Sequence, residues 1–471
     1  MRVIVLGGGI SGLCAGYEVL RRVPDASVVV LEAGNRVGGA IATEHTEDGF
    51  LIERGPDAML TQPDHALKLA QELGLEPHIM RTSASVSGAF ILRSKRLHPV
   101  PDGFALVAPG NLKAFLRTPL VSARGKARAL LEPLLAPLQP SGELSLQTLV
   151  QGRLGQEVLD YLAEPLAGGI YGADPRLLSM HAALPKYAAL AERGQSLIGG
   201  VRRLQRGAGA RAAGARYGLF ISFQGGCGEL VAALADAIGP ERIQLGQKVE
   251  SIGRYGRGWQ VNVTSRGAQG VECARSLRAD AVVCALPAAR AARVLREATP
   301  ELACELGAIP FGSSAVVTFA FEREQIAHPL DAYGFVVPKR EGLSLRAATF
   351  SSVKWPGRAP IGMVLLRAFV GGSGSEGQAA RPEAELVSSL LAELRLILGI
   401  RGEPRLHRVD RYVRAMPRYH LGHQALVARI EDAARHQPHF ALAGNSYRGV
   451  GIPEAIRSGR AAASALVSEL S

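Results

Sequence analysis

Cysteine is scarce in this chain. Five occur in 471 residues (Cys14, Cys227, Cys273, Cys284 and Cys304), and no two form a C-x-x-C pair. That spacing supports neither a disulfide framework nor a zinc site, and it reads as a chain kept in a reducing compartment. Aromatic residues are only 5% of the total and no recognised nucleic-acid-binding module is present, so nucleic acid is not expected as a partner. Long apolar runs are also missing. The best candidate, Ala129 to Leu138, is interrupted by Glu132, Pro133 and Pro137 and falls short of the ~18 residues a membrane span needs. Between Met1 and the first apolar strand there is no room for the charged, hydrophobic and cleavage regions of a signal peptide. The expectation is a cytoplasmic protein.

Acidic residues are outnumbered, 42 against 54 Lys and Arg, for a formal net charge of +12. The excess is local: residues 81–220 hold 18 basic and 8 acidic side chains. There Arg93, Lys95, Arg96, Lys113, Arg117, Arg124, Lys126 and Arg128 interleave with Phe104, Leu106, Phe115, Leu116, Leu120, Leu130, Leu131, Leu134 and Leu135. Such a mixture suits an anionic leaflet, where each nearby basic residue contributes about 1 kcal/mol and apolar side chains dip below the headgroups. Peripheral attachment to the inner face of the cell membrane is therefore expected, with a solvated basic face as the alternative.

Glycine, by contrast, is abundant: 55 residues, without a G-X-Y period. The length predicts two or three domains. Arg2-Val3-Ile4-Val5-Leu6 reads as a strand, followed by the G-x-G-x-x-G turn Gly7-Gly8-Gly9-Ile10-Ser11-Gly12 and a helical stretch to Arg22. Gly7 permits the tight turn, Gly9 lets a pyrophosphate touch the backbone, and Gly12 lets the helix pack on the strand. A second strand, Ser27 to Leu31, ends in Glu32, placed to accept hydrogen bonds from ribose hydroxyls. Strand, turn, helix, strand and terminal acid in this order predict a dinucleotide site.

A second glycine-rich turn follows, Glu32-Ala33-Gly34-Asn35-Arg36-Val37-Gly38-Gly39-Ala40, which offers further backbone and a cation for a pyrophosphate. With this E-x-x-x-R-x-G-G pattern the chain resembles the amine-oxidase-like flavoproteins, and FAD, held noncovalently, is the implied cofactor. Gly49 to Pro56 looks like the loop that lies beside the flavin in that superfamily, with Asp57 and Ala58 next to it. Phe223 to Leu230, leading to Val249, looks like the returning strand over the adenine. In the run Gly444-Asn445-Ser446-Tyr447-Arg448-Gly449-Val450-Gly451-Ile452-Pro453, Pro453 fits the first position of a helix. Gly449 and Gly451 free the backbone to approach the isoalloxazine, and the helix N-terminus favours negative charge on a reduced flavin.

Glu164 to Ser179 contains Gly169-Ile170-Tyr171-Gly172-Ala173-Asp174-Pro175-Arg176-Leu177-Leu178-Ser179. This is similar to the signature of the porphyrinogen oxidases of haem biosynthesis, and further likeness runs through Tyr333–Pro338, Thr349–Ser352, Phe369–Gly372 and Met416–His423. The resemblance implies six-electron oxidation of protoporphyrinogen IX to protoporphyrin IX, with O2 as acceptor and H2O2 released. Coproporphyrinogen III is the alternative substrate. It also allows a homodimer and transfer of product to ferrochelatase. Gly168, Gly169, Tyr333, Val336, Thr349 and Phe369 would line the substrate cleft. The arginine that relatives place before the strand Phe90 to Arg93 is here Ala89, so Arg93 or another cleft arginine is expected to take a substrate propionate.

No Ser/His/Asp arrangement, metal-ligand spacing or acid pair asks to be read as catalytic; His420 and His423 are read as structural. A porphyrinogen needs no base, because its bridging CH2 groups lie between pyrroles whose nitrogen lone pairs stabilise the cation left when hydride departs. The protein must then supply position in an apolar cleft. Two other readings remain at this point: an amine oxidase or carotene-desaturase relative, and a flavin-free escort protein. The expected architecture is α/β (α+β overall). A discontinuous Rossmann-like FAD domain (1–80, 218–290 and 405–471) joins a mixed-sheet substrate domain (81–95 and 291–404) and a mainly helical, basic, membrane-facing lobe (96–217).

Overall fold

The structure, a computed structural model, describes residues 1–136, 138, 142–212, 219–266 and 272–470. Parts of the expected basic lobe, 137, 139–141 and 213–217, lie outside the described residues.

The apolar, β-branched runs near the N-terminus form a parallel sheet buried on both faces. Its strand order is Ile243–Gln244, Ser27–Leu31, Arg2–Leu6, Ala281–Cys284, Phe440–Leu442. One face packs on the helices Ile10–Arg22, Gly228–Ile238 and Ile452–Leu470 through Val3, Val5, Leu13, Leu234 and Ile456. The other face, through Ile4, Leu6 and Val282, packs under the antiparallel strands Gln247–Tyr255 and Gly258–Arg266 and the helices Ala288–Leu295, Pro300–Gly307 and His423–Arg435. Near-continuous apolar strands are what burial on two faces requires. The sheet draws on three separated stretches of chain.

A second, seven-stranded sheet runs in the order Leu406–Pro417, Phe311–Glu322, Met363–Gly371, Leu345–Phe350, Gly334–Val336, Phe90–Arg93, Arg96–Pro99. All of its pairings are antiparallel except Gly334–Val336 with Phe90–Arg93. The sheet therefore takes in 96–99 and 406–417, which the expected boundaries put elsewhere. The helices Ala288–Leu295 and Pro300–Gly307, expected with the substrate domain, bury their apolar faces against the parallel sheet instead. Hydrogen-bond pairing and helix amphipathicity decide membership here, and neither is visible as a composition shift. The face carrying Val317, Phe319, Ala368 and Phe350 packs on the helix Glu383–Leu398 through Leu386, Leu390 and Leu394.

The lobe between the strands is mainly helical. Four of its helices are capped at Asn111, Ser122, Ser145 and Ser179, each with a side-chain oxygen accepting from the backbone N–H three residues on. Among them Leu159–Gly168 is π-helical and contains Pro165. Such widened turns are uncommon and favour functional sites. At the lobe's centre the buried Glu132 carboxylate accepts from the Arg153 guanidinium, the Ser196 hydroxyl and the backbone N–H groups of Leu197 and Ile198. Glu132→Ala leaves the Arg153 charge buried without its counter-ion, held only by the carbonyls of Glu132, Leu135 and Ala136. We expect it to lower unfolding stability by about 3–5 kcal/mol, measured by urea titration of the purified protein, while Glu132→Gln loses less.

Candidate active site

The two glycine turns lie against each other. Gly7, at φ +103°, starts the first, and a Cβ on Gly12 would stand 1.9 Å from the Gly7 carbonyl oxygen, so the helix can sit this close only with glycine there. The Gly38 N–H donates to the Gly8 carbonyl at 2.8 Å, and Gly9 bridges Gly38. Both Glu32 carboxylate oxygens accept backbone N–H groups, from Gly8 at 2.8 Å and Gly34 at 2.7 Å. Each oxygen keeps a further lone pair for a ribose hydroxyl, so Glu32 also serves as the clamp between the turns.

Arg36, expected to offer a cation to a pyrophosphate, braces the second turn. Its guanidinium donates to the carbonyls of Val37, Ile41 and Gly39 and so holds the second turn in shape. Ile10 is in the core, and the buried Ser11 hydroxyl donates to the Ala455 carbonyl, so both side chains are engaged within the protein. Val249 buries its side chain under the parallel sheet, and its carbonyl accepts from Arg290.

The cradle fits a dinucleotide. A Cβ on Gly9 would meet nothing nearer than Gly39 Cα at 4.0 Å, and one on Gly444 nothing within 4 Å, which leaves open backbone facing the two turns. Gly451 precedes the long helix that starts at Ile452, whose N-terminal N–H groups suit an anion or a reduced ring. FAD is the cofactor; when bound it accepts hydride and passes electrons on to an acceptor.

Asp57, expected beside the flavin, has its side chain in a buried charge cluster. It is buried with Lys354 at 3.2 Å, the Trp355 Nε1–H at 3.2 Å and Arg367 at 3.8 Å. Burial alone would raise its carboxyl, but the two cations hold it below its ordinary value. Arg367, 1% exposed, also donates to the Gly55 carbonyl, while Gly55 packs so tightly that a Cβ would be 1.8 Å from the Ala40 oxygen. The Asp57 cluster thus supports the Gly55-Pro56 loop from beneath, with Ala58 beside it.

From Ala40, Gly55, Pro56, Asn445 and Val450 a cleft of ≈ 450 Å³ extends between the seven-stranded sheet and the π-helical turn. Gly168, Gly169 and Phe369 line it. Tyr333, Val336 and Thr349 are not among the residues lining it. Val336 shares a face with Phe369 through the register Phe369, Ala347, Val336, yet the helical lobe covers it. Thr349 lies one row further, between Arg367 and Gly334, and the Tyr333 hydroxyl bonds to Thr82.

Arg93 is also outside the cleft: its guanidinium donates to the Pro119 carbonyl at 3.0 Å and stacks 4.4 Å over the Tyr161 ring. The walls instead include Ser314, Val316, Tyr412 and Met416, and the charged residues Glu164, Lys339 and Arg346. Burial pushes the Glu164 carboxyl up and the Arg346 guanidinium down. The sequence did carry a signal for Arg367 and Arg346: each is a cation inside an apolar strand. None of the five cysteines lines the cleft, and the buried His423 donates through Nε2 to the Tyr447 carbonyl at 2.8 Å while stacking on Tyr419.

A doubly wound dinucleotide cradle opening on an apolar cleft, with no acid–base pair at the junction, defines a flavin-dependent oxidoreductase. The chain belongs to the flavin containing amine oxidoreductases, whose family model matches residues 10–467. It is 31% identical to coproporphyrinogen III oxidase of Bacillus subtilis (strain 168), over 98% of this chain and 97% of that one. It is 28% identical to protoporphyrinogen oxidase 2 of Arabidopsis thaliana, over 100% and 94%. Among solved structures, a protein of Exiguobacterium sp. 255-15 described as a candidate protoporphyrinogen oxidase superposes with a TM-score of 0.85 at 31% identity, covering 100% of this chain and 98% of that one.

Two outcomes follow from this geometry. Gly12→Ala drives the first helix off the turn and should yield protein with less than about a tenth of the normal flavin per chain, read from the visible absorbance of the purified sample. Because the Asp57 carboxyl is depressed in the native state, its stabilisation is present above its ordinary value of 3.8 and is lost as pH falls through the lower native one. Asp57→Asn should cost about 3–5 kcal/mol at neutral pH and flatten the acid limb of stability against pH.

Proposed function

We propose that this protein oxidises a porphyrinogen to the porphyrin, with coproporphyrinogen III as the favoured substrate and protoporphyrinogen IX as the second reading. The observation that carries this is the cleft itself. Its long wall of glycine, Val316, Phe369 and Met416 suits a macrocycle that flattens as it is oxidised, and it starts at the turns that hold the cofactor. No side chain at that junction is arranged as a base, and a bridging methylene between pyrroles requires none. The walls hold one methylene about 3–3.5 Å from the accepting atom and keep water out, while the pyrrole N–H proton leaves for solvent.

Three two-electron rounds complete the porphyrin, the macrocycle turning between them, with oxygen taking the electrons as H2O2. The relatives named for coproporphyrinogen III, and Ala89 where an arginine was expected, favour the substrate with a propionate on every ring. Lys339 and Arg346 put positive charge in the cleft for it. The purified protein mixed anaerobically with coproporphyrinogen III should bleach its flavin. Under air it should release about three H2O2 per porphyrin, the six electrons leaving in pairs. A flavin left oxidised by both porphyrinogens, or bleached by amines instead, refutes this reading.

An anionic membrane is part of the same proposal. Leu116, Leu130, Leu131 and Leu134 are exposed, Leu134 by 82%, among Lys113, Arg117, Arg124 and Lys126. No helix among the described residues is long and apolar enough to cross a bilayer. Leu131→Glu with Leu134→Glu should abolish co-sedimentation with phosphatidylglycerol vesicles at ~0.1 M salt and leave turnover of soluble substrate unchanged.

A further inference from the structure

Within the strand Leu345–Phe350 the pairing slips. Leu345 is opposite Val370 and Ala347 is opposite Phe369, so Arg346 is the extra residue of a β-bulge. Leu345 goes into the core under the helix Glu383–Leu398, and Ala347 takes the cleft face with Phe369 and Val316. Bulges beside active sites re-aim a side chain that the pleat would otherwise send to one fixed face. This one is pinned on both sides. The Glu393 carboxylate accepts from the Ser344 and Leu345 N–H groups at 2.8 Å each, and the Arg346 carbonyl accepts from Val337 N–H at 2.8 Å.

The guanidinium so placed is in the cleft wall and half-satisfied. Nη2 donates to Ser375 Oγ at 3.0 Å, whereas Nε and Nη1 are buried with no hydrogen-bond partner among the described residues. A buried charged donor without an acceptor is costly, and such groups are found where a ligand supplies one. The neighbouring acid does not fill that role. Glu164 has its oxygens on Lys339, 3.4 Å from its N–H and 4.0 Å from its ammonium, and Glu393 is taken by backbone.

We propose that Arg346 is the substrate-carboxylate receptor of this protein, pairing through Nε and Nη1 with a propionate on the ring that lies against the wall of Glu164, Lys339 and Arg346. This deepens the porphyrinogen reading and rests on it. It moves the task from the start of the strand Phe90–Arg93, where Ala89 stands and where Arg93 is committed to Pro119 and Tyr161, to a bulge two strands away in the same sheet.

The test is Soret-band titration of the flavin-loaded protein with coproporphyrin III and with its tetramethyl ester, alongside steady-state kinetics on coproporphyrinogen III. Arg346→Met should weaken the free acid roughly 10–100-fold, raise KM to match, leave kcat within about threefold, and bind the ester as the unaltered protein does. Arg346→Lys should recover most of the loss. An Arg346→Met protein that binds the acid as tightly as before, or that loses acid and ester alike, overturns the assignment. If Arg346→Met does not fold, unaltered protein that fails to prefer acid to ester, or an Arg346→Gln protein that keeps the unaltered preference for the acid, does the same. Unaltered protein whose flavin no porphyrinogen reduces would instead refute the substrate reading, a result separate from the binding titration.

Discussion

Backbone packed against backbone, at distances only glycine permits, is the constraint on which this molecule depends. Gly12 over the Gly7 carbonyl, Gly38 hydrogen-bonded to Gly8, and Gly55 against Ala40 bring three stretches of chain into one cradle. Each contact removes a side chain and brings peptide backbone close to the same space. That arrangement suits a pyrophosphate, whose charge is spread over several oxygens and is best met by several partial charges. Glu32 and Arg36 act mainly on this backbone, one tying N–H groups together and the other tying carbonyls.

The cradle is coupled to the second sheet by buried charge. Arg367 comes from the middle of an apolar strand, reaches the Gly55 carbonyl and approaches Asp57, which in turn takes Lys354 and Trp355. Ion pairs of this kind add little net stability compared with apolar packing, but they fix geometry because misalignment leaves a charge unpaired. Phe369, two residues from Arg367 on the same strand, is thereby held at a fixed offset from the loop beside the cofactor. Position is what an oxidation without a catalytic base requires, and this strand supplies it.

The cofactor half of the molecule was legible in the sequence because its physics is local: the turn, helix and acid lie within forty residues, and each glycine has a steric reason. The substrate half was less so. Val336 and Thr349 have the right strand face, and the register confirms it, but which stretch of that face stays uncovered depends on how the helical lobe lies across it. Arg93 has the expected alternation yet turns to a carbonyl and a ring from a different element. Arg346 stands out in the sequence as a cation in an apolar strand, but the face it takes is hidden, since a one-residue slip in pairing reverses a side chain's direction and leaves no mark on composition or period. The boundaries at 96, 291 and 405 moved because sheet membership is a matter of partners far along the chain.

The bond from Ser11 to Ala455 joins residues 444 apart, and the edge strand Phe440–Leu442 completes a sheet begun at Arg2. In order of synthesis, therefore, the glycine turn precedes the helix that packs on it by more than four hundred residues, as the 444-residue separation shows. The first helix, Ile10–Arg22, accordingly lacks its packing partner until Ile452–Leu470 has been synthesised, so a closed cradle is a late event in the folding of the chain.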